Sequence, residues 1–152
     1  MTNSKLIEEI KALKKEKNAI VLAHCYQNVE IDEVADFVGD SLGLSKLASK
    51  TDADIIVFAG VYFMAETAKI LSLNKKVLLL NLKSVCNMAD MIDLRMVKDF
   101  KAKNSNIHLV LYVNSTAEVR AECVSCCTRA QYIEVVKSRG VNKVHVCTDG
   151  YL

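Results

Sequence analysis

The chain has 152 residues, enough for one compact domain, or one and a half smaller ones, with its own hydrophobic core. Its residues are 51% apolar and 25% charged, the composition of an ordinary globular protein rather than a disordered or fibrous one. A net charge of +2, with Lys and Asp/Glu interspersed, gives no sign of the one-sided basic face that a nucleic-acid partner requires.

Met1-Thr2-Asn3-Ser4-Lys5 leads into a charged stretch in which Leu6, Ile7, Ile10 and Leu13 fall at helical spacing, which predicts a surface helix over 4–17. That opening has no apolar core of a signal peptide. The apolar runs 19–23 and 77–80 are too short to cross a bilayer, so the expectation is a cytoplasmic chain with no membrane partner. Residues 19–24 predict a fully apolar strand. Helical patterns follow over 32–38 and 42–50, separated by Gly39-Asp40-Ser41, then a buried strand over 55–59 closed by Gly60. Residues 63–71 predict a helix, with Phe63, Met64 and Leu71 in the core and Glu66 structural or solvent-facing. Residues 77–80 predict a strand, 88–100 a helix, 108–113 a strand, 117–122 and 132–137 helices, and 144–147 a fifth strand.

Strands that are apolar on both faces and alternate with helices predict an α/β protein, a three-layer αβα arrangement with parallel sheets. The sequence leaves open two lobes or one open sheet. In such sheets ligands gather at the carboxyl ends of the strands. His24 and Tyr26 follow the first strand, Gly60 the second, 84–90 the third and 114–116 the fourth. There is no G-x-G-x-x-G after the first strand, so a dinucleotide fingerprint is not supported.

The six cysteines are expected as core residues, metal ligands or reactive thiols, because a reducing compartment disfavours disulfides. Cys123-Val124-Ser125-Cys126-Cys127 contains a C-x-x-C spacing that can chelate a metal, with His145 and Cys147 the nearest further ligands. The plainer reading is thiols packed between a helix and the next turn. Cys86, read from its surroundings alone, suits a buried strand-end thiol. Ser41 suits a helix N-cap, or an anion contact at a helix N-terminus, and both roles can coexist.

Five segments in register resemble the quinolinate synthase family, from the first strand to about Ala121. They are Val21-Leu22-Ala23-His24-Cys25-Tyr26-Gln27; 35–42, ending Gly39-Asp40-Ser41-Leu42; and 60–71, from Gly60-Val61-Tyr62-Phe63 to Ile70-Leu71. The last two are Cys86-Asn87-Met88-Ala89-Asp90-Met91 and Tyr112-Val113-Asn114-Ser115-Thr116-Ala117-Glu118-Val119-Arg120-Ala121. The resemblance implies condensation of iminoaspartate with dihydroxyacetone phosphate to quinolinate, in NAD biosynthesis. It implies three pseudo-symmetric α/β domains around one site, of which this chain holds the first (1–83) and part of the second (84–152). A [4Fe–4S] cluster held by three cysteines, one per domain, goes with it, one iron left open as a Lewis acid.

By the same resemblance Cys86 is the first cluster ligand, and His24 a substrate contact with a catalytic part. Tyr26 and Tyr112 assist proton movement. Ser41, Tyr112 and Asn114 contact the substrates. The family's other two cluster cysteines lie beyond Leu152, which leaves a fragment, a diverged paralogue or one half of a split protein as the alternatives. Apolar surface left uncovered would favour self-association or a partner chain carrying the missing domains. A non-catalytic metal- or partner-binding member of the family is the rival reading. Departures from the family pattern are Thr128-Arg129-Ala130-Gln131 in place of a Thr-Ser-x-Asn-like segment, and Val85 in place of a Gly. Leu73, Asn81 and Thr148 stand where prolines are frequent, which accounts for part of the absence of proline. The closing Thr148-Asp149-Gly150-Tyr151 echoes a family segment loosely.

Overall fold

The computed structural model describes residues 3–138, 140 and 144–147, so the expectations for 148–151 lie outside the described residues. Residues up to Ser84 make one compact unit and those from Val85 a second. Both are α/β, built on parallel sheets with helices against them.

In the first unit, helix α1 (Asn3–Glu16) buries no residue fully. The turn after it holds Asn18, the non-glycine residue with positive φ (47°) among those described, a conformation Asn tolerates better than most residues. The Asn18 side chain donates to the Asp54 carboxylate at 2.9 Å, and its carbonyl accepts from the Asp54 N–H at 3.0 Å, which sets the start of the next strands. Strand β1 (Ala19–His24) buries Val21, Leu22 and Ala23. A single turn, α2 (Val29–Asp32), precedes β2 (Phe37–Gly39), and α3 (Ser41–Lys50), β3 (Ile55–Ala59), α4 (Tyr62–Leu71) and β4 (Lys76–Leu79) complete the unit. The sheet order is β2-β1-β3-β4, all parallel. Leu22, Ile56 and Phe58 are fully buried at its centre. Leu44, Ser45 and Ala48 of α3 and Phe63, Met64 and Ala68 of α4 are the buried helix faces. Leu71 is a correction, because it is 49% exposed at the end of α4 rather than in the core. At Gly60 an added Cβ would lie 3.1 Å from the Met64 sulfur, so the turn from β3 into α4 is closed by a residue with no side chain.

The helix predicted over 32–38 is also not formed. The Asp36 N–H donates to the Val21 carbonyl at 2.8 Å and its carboxylate accepts from the Val21 N–H at 2.7 Å, so pairing with β1 draws 37–39 into an edge strand. The other Asp36 oxygen meets Lys14 Nζ at 2.8 Å, and Lys14 also donates to the Val34 carbonyl at 2.6 Å.

In the second unit, a short 3-10 turn (Ala89–Met91) precedes α5 (Leu94–Lys103). The single helix predicted over 88–100 is therefore two pieces. Ile92 is extended, and Asp93 starts a new helix by accepting from the Met96 N–H at 2.7 Å. Strand β5 (His108–Tyr112), α6 (Ala117–Ala121), β6 (Ser125–Cys127), a 3-10 turn (Arg129–Gln131), α7 (Tyr132–Ser138) and β7 (Val144–Cys147) follow. The sheet order is β6-β5-β7, again parallel. Its core is Val97, Leu109, Leu111 and Val119, with Ile92, Leu94, Phe100, Cys123 and Cys147 packed against it. Each unit therefore places its first strand between its second and third, and brings the residues after those strands to one edge.

Candidate active site

The residues singled out in the sequence fall into two sets, His24, Tyr26 and Ser41 in the first unit and Cys86, Tyr112 and Asn114 in the second.

His24 closes β1 opposite Gly39 of β2. Its Nδ1 accepts from the Tyr26 N–H at 3.3 Å, and the two rings meet edge to face with centroids 4.8 Å apart. That hydrogen bond assigns the proton of the neutral ring to Nε2. Burial pushes the His24 pKa below its usual value, and the nearby Asp40 carboxylate offsets part of that. At neutral pH the ring is mainly uncharged. Tyr26 is 88% exposed, so its phenol is open to an incoming molecule.

Ser41 is the first residue of α3, but the cap itself is Asp40, whose Oδ1 accepts from the Gly43 N–H at 2.7 Å. The N-cap role weighed for Ser41 thus belongs to its neighbour. This matters for chemistry, because one of the N–H groups at the amino end of α3 is already occupied by a carboxylate. Asp40 was missed as the cap of α3. The signal was there in the sequence, an Asp directly before a helical pattern with Gly three positions on.

In the second unit, Tyr112 ends β5 and Asn114 Nδ2 donates to the Tyr112 phenol oxygen at 3.2 Å. The buried Ser115 hydroxyl donates to the Tyr112 carbonyl at 2.9 Å and fixes the turn between them. The structure thus brings Tyr112 and Asn114 together as one polar pair, both half-buried. Cys86 is a half-buried free thiol in the loop before the 3-10 turn, its carbonyl accepting from the Asp90 N–H at 3.0 Å. Thr128 donates its hydroxyl to Gln131 Oε1 at 2.9 Å, so in this departure from the family pattern the Thr side chain is spent locally.

The described residues do not bring Cys123, Cys126 and Cys127 together as the alternative metal chelate. Ser125–Cys127 is a strand, where successive side chains point to opposite faces, so Cys126 and Cys127 diverge. Cys123 instead packs against the core, where burial, with the Cys126 and Cys147 thiols adding to it, pushes its pKa up to about 12. No group of three or more His, Cys, Asp or Glu among the described residues stands close enough to hold a metal ion.

Residues 8–152 match the family model described as quinolinate synthetase A protein. The chain belongs to the quinolinate synthase family. It is 58% identical over 144 residues to the quinolinate synthase of Alkaliphilus metalliredigens, covering 95% of this chain and 48% of that protein. To the quinolinate synthase of a Sulfurihydrogenibium species it is 51% identical over all 152 residues, 49% of the relative. With that of Aquifex aeolicus it shares 50% identity over 139 residues, 91% of this chain and 43% of the relative. The chain thus spans about half the length of the curated relatives it matches.

Against the [4Fe–4S] cluster of the quinolinate synthase resemblance, the described residues bring no three cysteines together as a ligand set. They do not by themselves fit the whole group. No helix among the described residues is long and apolar enough to cross a membrane.

Proposed function

We propose that this chain supplies part of the active site of a quinolinate synthase, which condenses iminoaspartate with dihydroxyacetone phosphate, with loss of water and phosphate, in the cytoplasm. The observation that carries the proposal is the His24–Tyr26 pair at the carboxyl end of β1, inside the family match and beside the start of α3. Both substrates are small anions, and neither nucleic acid nor membrane takes part.

In this reading neutral His24 donates from Nε2 to a substrate carboxylate or phosphate, and gains a proton once that anion is in place. Ser41, relieved of capping by Asp40, offers its hydroxyl to the same anion. Tyr26, with its exposed phenol, and Tyr112, whose phenol oxygen is oriented by Asn114, pass protons to and from the condensing carbons. Asn114 also lends an amide to substrate oxygen. Cys86 would hold one corner of a [4Fe–4S] cluster, which would supply Lewis-acid chemistry when bound. The other thiolates would come from the half of the family fold that this chain does not match, carried by a partner chain. Exposed apolar residues such as Leu73 (73%) and Leu82 (73%) fit a chain that is covered by more protein.

Quinolinate formation tests the proposal. The chain is mixed anaerobically with a polypeptide carrying the other half of the Alkaliphilus metalliredigens relative, reconstituted with iron and sulfide, and given both substrates. Product detected by chromatography, lowered tenfold or more by His24→Gln and by Tyr112→Phe, is the expected result. No product from any mixture, or full activity in both variants, would overturn it.

A further inference from the structure

We infer that the face of the first sheet turned away from α3 and α4, where it passes over β3 and β4, seats an amphipathic helix from the half of the family fold that this chain does not match. The inference rests on the reading that such a half completes the protein. It adds where that half binds and what it brings.

The strand order leaves this face bare. With β2-β1-β3-β4 all parallel, the chain steps from β1 to β2 in one direction, then from β2 to β3 and β3 to β4 in the other. Right-handed crossovers therefore put α3 and α4 together on one side of the sheet and α2 on the other. α3 and α4 do pack on each other, and Lys14 of α1 holds the segment after α2 through Asp36 and Val34. Helices are about 10 Å across and strands about 4.8 Å apart, so four strands take about two helices per side. On the side of α1, that helix lies against β1 and α2 is a single turn. No described helix of this unit is left to cover β3 and β4 there.

Burial follows the same division. Pairing lines up Leu22, Phe58 and Leu79 on one face, and Val21, Val57 and Leu78 on the other. Leu22 and Phe58 are fully buried, and Phe58 lies with Met64 of α4 around Gly60. On the opposite row exposure climbs away from α1, from 6% at Val21 through half-buried Val57 to 45% at Leu78. Leu80, whose N–H carries the ladder on to the Phe58 carbonyl at 3.3 Å, extends that exposed row. At its other end stand the paired Ile55 and Lys76. A parallel sheet is normally covered on both faces. This apolar strip ending in a cation fits a helix with apolar residues at i, i+3 or i+4 and i+7, and a carboxylate facing Lys76. A second copy of the chain has α1, α3 and α4 already seated on its own sheet. The relatives, at about twice this length, have further chain to supply the helix.

The test is thiol labelling of Leu78→Cys in the whole chain with a bulky maleimide. Peptide mass spectrometry reads position 78 apart from the native cysteines. Lys46→Cys, an exposed position on α3, is the control. Position 78 should label rapidly in the chain alone. Adding the polypeptide that carries the other half of the Alkaliphilus metalliredigens relative should slow it tenfold or more, with position 46 unchanged. Leu78→Glu, at a surface position and with a melting temperature near wild type, should weaken binding of that polypeptide tenfold or more in calorimetry. Unslowed labelling at position 78, or wild-type binding by Leu78→Glu, in a mixture that forms quinolinate overturns the inference and leaves the catalytic reading intact. Protection at position 78 without quinolinate supports the inference and counts against that reading; neither protection nor product sinks both. Slow labelling in the chain alone also overturns the inference, a sedimenting dimer assigning the face to a second copy and a monomer to this chain itself.

Discussion

Replacing Asp36 by Ala should loosen the first unit at its edge. The carboxylate does two things at once, accepting from the Val21 N–H at 2.7 Å and pairing with Lys14 at 2.8 Å. Lys14 is 16% and Asp36 32% exposed, so neither is a freely solvated surface charge. Losing a hydrogen bond to a charged acceptor removes about 1.5–3 kcal/mol. The ion pair adds at most about 1 kcal/mol after allowance for solvent screening. The sum is about 1.5–4 kcal/mol, which in a unit of this size lowers its melting temperature by roughly 6–30 °C. Asp36→Asn keeps an acceptor for Val21 and loses the pairing, so its loss should be about 1 kcal/mol. Urea unfolding followed by circular dichroism gives the free energies, and hydrogen exchange at the Val21 amide reports the local effect. Asp36→Ala within about 0.5 kcal/mol of wild type, with Val21 still protected, would refute the reasoning.

Phe58→Ala, in the fully buried centre of β3, should destabilise the chain by about 3–5 kcal/mol in the same assay. Asp93→Ala should remove about 0.5–2 kcal/mol by uncapping α5, while Asp93→Asn should be nearly silent. Cys123 should resist alkylation at pH 7–8 in the folded chain. Burial holds its thiol up to about 12, so the thiolate is scarce there, and the labelling rate at this position, followed by mass spectrometry, should keep rising with pH beyond 10. Rapid labelling of Cys123 at pH 7 would contradict its burial against the core.

Long apolar segments were legible from their composition. Residues 19–24 and 55–59 are apolar on both faces, the mark of strands covered on both sides, and both are central strands here. The two strands that were not foreseen, β2 and β6, have three residues each and lie at sheet edges. Nothing in Phe37-Val38-Gly39 or Ser125-Cys126-Cys127 distinguishes them from a turn until β1 or β5 offers its backbone. The same loss of local signal hid the break at Ile92, where Asp93 begins a second helix. Strand-end position drew attention to His24 and Tyr26, and the family resemblance, rather than position, singled out Tyr112. Ser41 and Asp40 were harder to separate, because both residue types cap helices and only the Asp40–Gly43 hydrogen bond decides between them. The cysteine run kept a chelate open beside packed thiols because spacing in sequence does not reveal the alternation of a strand.

The most direct measurement is iron content and electron paramagnetic resonance of the reduced, anaerobically reconstituted protein, in the same two-polypeptide mixture, for wild type, Cys86→Ser and Cys126→Ser. Cys86 as a cluster ligand predicts a [4Fe–4S] signal with matching iron in wild type and Cys126→Ser, and its loss in Cys86→Ser. A signal that survives in Cys86→Ser, or that disappears in Cys126→Ser instead, would contradict it.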